Sequence, residues 1–183
     1  MATGRLLGIS GSLRRDSYNT KLMREAARLF EPAEFTEADL NLPLYDGDLE
    51  SEKGIPEPVQ TLIDQIKDAD AIVISTPEYN KAPSGVLKNA LDWTSRTRPF
   101  PLIRKPVAIM SATAGRAGGE RTQFALRLML VAFQPRLLQG PEVLVGQNTD
   151  QFDDKDRLVN EINAKALDGL MKALRAEAGL SED

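Results

Sequence analysis

Three short stretches of this chain hold side chains that could do chemistry. The first is Ser10-Gly11-Ser12-Leu13-Arg14-Arg15-Asp16-Ser17-Tyr18-Asn19. Hydroxyls, an amide and two guanidiniums crowd one turn just ahead of a helical pattern. A helix N-terminus presents free N–H groups and partial positive charge. Ser12, Arg14, Ser17 and Asn19 added to it make a site for a phosphate monoester. The plainer use of Ser17 or Asn19 is as a helix N-cap, with the arginines solvated, but the concentration of donors favours phosphate. The stretch is neither a Walker loop nor a G-x-G-x-x-G turn. The second stretch, Pro77-Glu78-Tyr79-Asn80-Lys81-Ala82-Pro83-Ser84-Gly85, offers an aromatic wall and backbone groups suited to a flat heteroaromatic ligand. The alternative is a proline-rich turn with Tyr79 on the surface. The third, Ser111-Ala112-Thr113-Ala114-Gly115-Arg116-Ala117-Gly118-Gly119, has glycines that let backbone approach a ligand closely. Alone it is a weak signal, strengthened by sharing a sheet edge with the other two.

What the chain lacks narrows the chemistry further. Its 183 residues include no cysteine and no histidine. That excludes disulfides, thiolate and imidazole metal sites, cysteine nucleophiles and a Ser-His-Asp triad. Reactive chemistry must then come from a cofactor or from carboxylates. With 23 basic and 27 acidic side chains the net charge is −4, so no global attraction for nucleic acid is expected. The apolar run near the N-terminus is too short for the core of a signal peptide, and no membrane-length apolar stretch follows. A cytoplasmic protein without a membrane span, folding as one domain over residues 1–183, is the expectation.

The elements that must position the three stretches follow from apolar spacing. Arg5–Ser10 reads as a buried strand. Thr20–Phe30 is helical, with Leu22, Met23, Ala26, Ala27 and Phe30 in register. Glu34–Ala38 reads as a second short strand, Asp39–Pro56 as an acidic loop, and Pro58–Ala69 as a helix. Ala71–Ser75 is continuously apolar, as in a parallel sheet covered on both faces. Val86–Ser95 predicts a helix in which Trp93 packs in the core and Asn89 and Asp92 serve as structural hydrogen-bonders. Arg98–Pro106 is a proline-stiffened connection. Val107–Met110 and Glu142–Val145 complete the strands; Arg121–Phe133 and Lys155–Glu177 complete the helices. The alternation implies an α/β fold with a five-stranded parallel sheet. Both a flavodoxin-like and a truncated dinucleotide fold fit. In either, ligands bind beyond the carboxyl ends of the strands, where the strand order reverses. Asp39–Pro56 and Asn148–Asp154 are left as segments for subunit contacts or for covering the site.

Gly11-Ser12-Leu13-Arg14 with Ser17 and Asn19, then Pro77-Glu78-Tyr79-Asn80 and Leu87-Lys88-Asn89-Ala90-Leu91-Asp92-Trp93, resemble the NAD(P)H-dependent FMN reductase family. That group includes quinone, chromate and azo-dye reductases. Leu42-Pro43-Leu44-Tyr45 with Asp48, Lys105-Pro106-Val107-Ala108 and the run Ser111 to Arg121 extend the resemblance, which holds in order from about Leu6 to Arg127. The chain departs from the pattern at Ala82 and Ser84, where many relatives carry serine and proline. The resemblance implies a flavodoxin-like three-layer sandwich with sheet order 2-1-3-4-5, bound FMN, and a homodimer or homotetramer. It implies that Ser10, Ser12, Arg14, Ser17 and Asn19 hold the FMN phosphate, with Leu13 and Tyr18 beside them. Pro77, Glu78, Tyr79 and Asn80 would line the isoalloxazine, and Ser111 and Gly115 its other edge or the ribityl chain. No catalytic side chain and no metal are then needed, because the chemistry lies at FMN N5. NADPH or NADH would be the donor. A small acceptor (quinone, chromate, azo dye or free flavin) would take the electrons in a ping-pong cycle. Arg14, Arg15, Arg96, Arg98, Arg104 and Arg116 are expected near the loops and favour an anionic substrate such as NADPH or chromate. Two other classes remain: a flavodoxin-type carrier that binds FMN without reacting with NAD(P)H, and a non-flavin ligand sensor.

Overall fold

The computed structural model describes residues 4–180. Its strands are β1 (Arg5–Ser10), β2 (Glu34–Ala38), β3 (Ala71–Ser75), β4 (Pro106–Ala112), β5 (Arg136–Leu137) and β6 (Leu144–Val145). Its α-helices are α1 (Tyr18–Phe30), α2 (Gly47–Lys53), α3 (Glu57–Asp68), α4 (Gly85–Thr94), α5 (Glu120–Leu130) and α6 (Glu161–Glu177). The strands pair in parallel in the order β2-β1-β3-β4-β5, and β6 also pairs with β4. This is the expected flavodoxin-like sandwich. The order reverses between β1 and β3, so the turns leaving these strands diverge and open a crevice at their carboxyl ends.

Alternation along the strands divides the core. Leu6, Val73, Ala108 and Met110 face α1 and α6, meeting Leu22, Met23, Leu167 and Leu170. Leu7, Ile9, Ile72, Ile74 and Ile109 face the other way, onto Leu62, Ile66, Leu87, Leu91 and Leu126 of α3, α4 and α5. Gly8 has a close-packing role. A Cβ there would lie 2.7 Å from Met23 Sδ and 2.8 Å from the Phe35 ring.

Three elements differ from the sequence expectation. The fifth strand is not one segment over Glu142–Val145. The edge of β4 is shared by β5, opposite Pro106 and Val107, and β6, opposite Ser111 and Ala112. Between them lies Pro141, which has no N–H to give to a ladder. The acidic stretch Asp39–Pro56 contains α2, capped by Asp46, whose side chain accepts from the Asp48 N–H. That helix buries no residue, so it leaves no apolar period to read. The last helix begins at Glu161 rather than Lys155, because Asn160 caps it through the Ile162 and Asn163 N–H groups.

Residues 39–46 form a strap fastened to α4. The Pro43 carbonyl accepts from Asn89 Nδ2 at 2.9 Å and from Trp93 Nε1 at 2.7 Å. Asn89 Oδ1 in turn accepts from the Tyr45 N–H. Trp93 is fully buried, and Asn89 is a structural hydrogen-bonder, as expected for both. No helix among the described residues is long and apolar enough to cross a membrane.

Candidate functional site

The turn after β1 is built around Gly11, where a Cβ would sit 2.7 Å from Thr76 Oγ1. Ser17 is the N-cap of α1, its Oγ accepting from the Asn19 and Thr20 N–H groups at 3.2 and 3.4 Å. Asn19 is 3% exposed, and both heteroatoms of its side chain bond within the fold. Oδ1 accepts from Ser75 Oγ and the Ala112 N–H, and Nδ2 donates to the Ala112 carbonyl, all between 2.9 and 3.0 Å. The amide thus stitches the start of α1 to the ends of β3 and β4. Ser10 Oγ and Thr20 Oγ1 share a 2.9 Å bond behind the turn. The backbone N–H groups of Ser12, Leu13, Arg15 and Asp16 take no partner among the described residues.

The turn after β3 holds its shape under strain. Tyr79 and Ala82 exchange two backbone hydrogen bonds at 3.0 and 3.1 Å. The two residues between them, Asn80 and Lys81, lie at φ 52° and 67°. Asparagine tolerates that region; lysine rarely visits it. Two contacts tie this turn to its neighbours. Ser84, the N-cap of α4, donates from Oγ to the Gly11 carbonyl at 2.6 Å and accepts from the Leu87 N–H. Glu78 Oε2 accepts from the Thr122 N–H at 3.3 Å, on a helix whose own N-cap, Gly119, has no side chain to offer. A carboxylate there also suits the helix dipole.

The turn after β4 is held from below. Ser111 is fully buried; its Oγ donates to the Gly118 carbonyl at 2.6 Å and accepts from Gln123 Nε2. Gly118, at φ 62°, lies so close to Leu144 that a Cβ would sit 2.4 Å from its carbonyl carbon. Two carbonyls of the turn are taken by the next segment: Thr113 O accepts from the Asn148 N–H, and Gly115 O from the Gly118 and Gln147 N–H groups. The N–H groups of Ala114, Gly115, Arg116 and Ala117 have no partner among the described residues. This run of free N–H groups can donate to an anionic or carbonyl oxygen.

The three turns and residues 148–149 enclose one cleft of ≈ 960 Å³. Of the residues expected there, Ser12, Arg14, Ser17, Tyr18, Asn19, Pro77, Glu78, Tyr79 and Gly115 line it. Ser10, Leu13, Asn80 and Ser111 do not. Ser10 and Ser111 lie behind the wall and brace it, while Leu13 and Asn80 are exposed. Arg14, Arg116 and Arg121 line the cleft and form no salt bridge among the described residues. Of the other arginines expected nearby, Arg96 pairs with Glu50 at 2.9 Å, and the Arg98 guanidinium lies 3.7 Å from the centre of the Phe100 ring. Arg104 precedes β4, at the opposite end of the sheet.

Sequence reading missed Thr113 as a lining residue, and also Arg121, Asn148 and Thr149. Arg121 did leave a signal, as a cation in the first turn of α5 where the dipole disfavours it. Asn148 and Thr149 were expected only as part of the segment Asn148–Asp154, for subunit contacts or for covering the site; they reach the cleft because β6 docks on β4. The segment after them is clamped to α1. Phe152 stacks on Tyr18 at 5.9 Å, Asp156 bonds Lys21 at 2.6 Å, and Arg157 reaches Glu25 at 3.0 Å. The Asp156 hydrogen bond holds the Lys21 ammonium above its ordinary pKa.

The family model described as NADPH-dependent FMN reductase matches residues 5–150. The chain is 41% identical over 173 residues to an NAD(P)H-dependent FMN reductase of Pseudomonas aeruginosa, covering 93% of each. It is 39% identical over 170 residues to a quinone reductase of Escherichia coli, covering 91% of this chain and 89% of that one. Among solved structures it resembles a flavoenzyme NAD(P)H:(acceptor) oxidoreductase of Paracoccus denitrificans. The TM-score is 0.86 at 30% identity, with 96% and 97% of the two chains covered.

Proposed function

Because this chain belongs to the NADPH-dependent FMN reductase family, we propose that it is an FMN-dependent NAD(P)H oxidoreductase acting on a small acceptor of the quinone class. The observation that carries the reading is the unused hydrogen-bonding capacity around the cleft. Of the residues lining it, Ser12 and 114–117 carry N–H groups without a partner, and three arginines form no salt bridge, among the described residues. A phosphate ester, a sugar alcohol and a carbonyl-bearing ring together need that donor set.

Ser12, Arg14, the Ser17 hydroxyl and the N-terminus of α1 would hold the FMN phosphate. Pro77, Glu78 and Tyr79 would wall one side of the isoalloxazine, and the 114–117 N–H groups would receive its polar edge. When bound, FMN supplies hydride acceptance from NAD(P)H and electron return to the acceptor. The side chains bind and orient; none is required as acid or base. Asn19 acts as a positioning residue, keeping the phosphate turn in register with β3 and β4. Donor and acceptor use the same cleft in turn, which gives a ping-pong rate pattern. The functional unit is a homodimer or homotetramer, supported by Phe124, Leu128 and Val131, 59%, 76% and 70% exposed along or just beyond α5, whose first turn lines the cleft.

The test is an anaerobic titration of the FMN-loaded protein with NADPH, followed by flavin absorbance. Rapid two-electron bleaching supports the reductase. FMN that binds yet stays oxidised with both NADPH and NADH favours the electron carrier. No FMN binding overturns the assignment of the cleft.

A further inference from the structure

We infer that the side-chain amide of Asn148 is a hydrogen-bonding ligand for the bound flavin, accepting from one of its donor groups. The inference rests on the FMN reading above and adds a residue from outside the three turns that carry it. Asn148 is 8% exposed and lines the cleft. Its backbone N–H is engaged by the Thr113 carbonyl at 3.2 Å, which fixes the residue against the turn after β4. Its side-chain amide makes no hydrogen bond among the described residues. The one fully sealed, unpartnered side-chain polar atom among them is Gln123 Oε1. The Asn148 amide therefore keeps its remaining exposure, and that exposure is to the cleft.

The chemistry of the neighbouring turn gives this amide a role. Residues 114–117 line the cleft with four N–H groups that have no partner among the described residues, while the Thr113, Gly115 and Ala117 carbonyls are taken internally. That wall offers donors but few acceptors. A flavin carries carbonyl oxygens, which such a wall satisfies, and also N–H and O–H donors, on the ring imide and the ribityl chain, which it does not. Asn148 Oδ1 supplies an acceptor beside that wall, and Nδ2 adds a donor. Without a partner, a ligand that filled the cleft would strand this nearly buried amide away from water.

The apo-protein is titrated with FMN and with lumiflavin, which lacks the ribityl chain, for the unaltered chain and Asn148→Ala. Fluorescence quenching gives Kd, and a melting curve is taken of each apo-protein. The substitution keeps the backbone N–H that anchors the segment. Asn148→Ala is expected to weaken FMN about tenfold, as for loss of one buried hydrogen bond, with an unchanged apo melting curve. Equal weakening of lumiflavin places the bond on the ring imide; weakening of FMN alone places it on the ribityl hydroxyls. An unchanged FMN Kd in Asn148→Ala, with tight binding by the unaltered chain, overturns this inference and leaves the FMN reading standing. A loss of affinity matched by a lowered apo melting temperature also overturns it, since the amide would then act only through the fold. Absence of FMN binding by the unaltered chain overturns the FMN reading and this inference together.

Discussion

The two ends of the sheet both carry a hollow, and they differ in what their polar groups are doing. At the amino ends of the strands a groove of ≈ 430 Å³ runs between β1, β2 and α3. Its Arg5 N–H bonds Asp70 at 2.8 Å, its Asp64 accepts from Gln60, and its Thr61 hydroxyl donates to the Glu57 carbonyl. Beside it, the Lys105 ammonium donates to the Lys67 and Ala69 carbonyls at the end of α3. At the carboxyl ends the cleft of ≈ 960 Å³ has arginines forming no salt bridge among the described residues and runs of free N–H groups. Volume alone does not make a ligand site. What separates the ends is that one has used its donors on the fold and the other has held them back.

The largest test of that contrast is Arg14→Glu. Losing a charge-assisted bond and gaining repulsion should weaken FMN about 100-fold or more while riboflavin, without the phosphate, changes little. Parallel titrations of both flavins decide it; equal losses would mean that Arg14 is not at the phosphate. Ser84→Ala comes next. It removes the Gly11 contact and the cap of α4, and should cost about 1–2 kcal/mol in urea unfolding of the apo-protein. A null result would show that the first two turns hold together without it.

Two smaller effects sharpen the comparison from opposite ends. Lys81→Gly relieves a lysine at φ 67° and should stabilise the apo-protein by about 0.5–1 kcal/mol. A loss of stability would show that the lysine side chain earns its place by a contact. At the other end, burial holds the Lys105 ammonium below the ordinary lysine value of 10.5. The folded protein gives up this proton before the unfolded chain does, so the unfolded chain binds more protons across that window. The stability of the unaltered chain relative to Lys105→Met should therefore rise as pH climbs from neutral towards 10.5. Urea midpoints of both across that range give the sign, and a flat or falling difference would contradict it.

Legibility followed burial. β1, β3 and β4, continuously apolar, were readable within a residue or two, as were α1 and α3 with their one-sided apolar faces. The edge of the sheet was not: β5 and β6 are two residues each, too short for a period. α2 buries nothing and so left no pattern. Within the site, residue type identified the turns but not the division of labour inside them. Ser10, Asn19 and Ser111 have the same polar character as Ser12 and Ser17. Yet Ser10 and Ser111 lie behind the wall, and the Asn19 side chain, though it borders the cleft, is taken up by Ser75 and Ala112.

By itself the sequence determined the layered α/β order and the exclusion of histidine and cysteine chemistry, and it located the three turns that carry polar and glycine residues. Those properties follow from local composition and spacing, which need no partner to be expressed. Tertiary structure alone decided which hydroxyls and amides are used up internally and which face the cleft. It also decided that Asn148, 129 residues beyond Asn19, shares the cleft with it. A hydrogen-bonding group is free or engaged only by virtue of what the fold brings within about 3 Å of it, and that distance is not written in either neighbour along the chain.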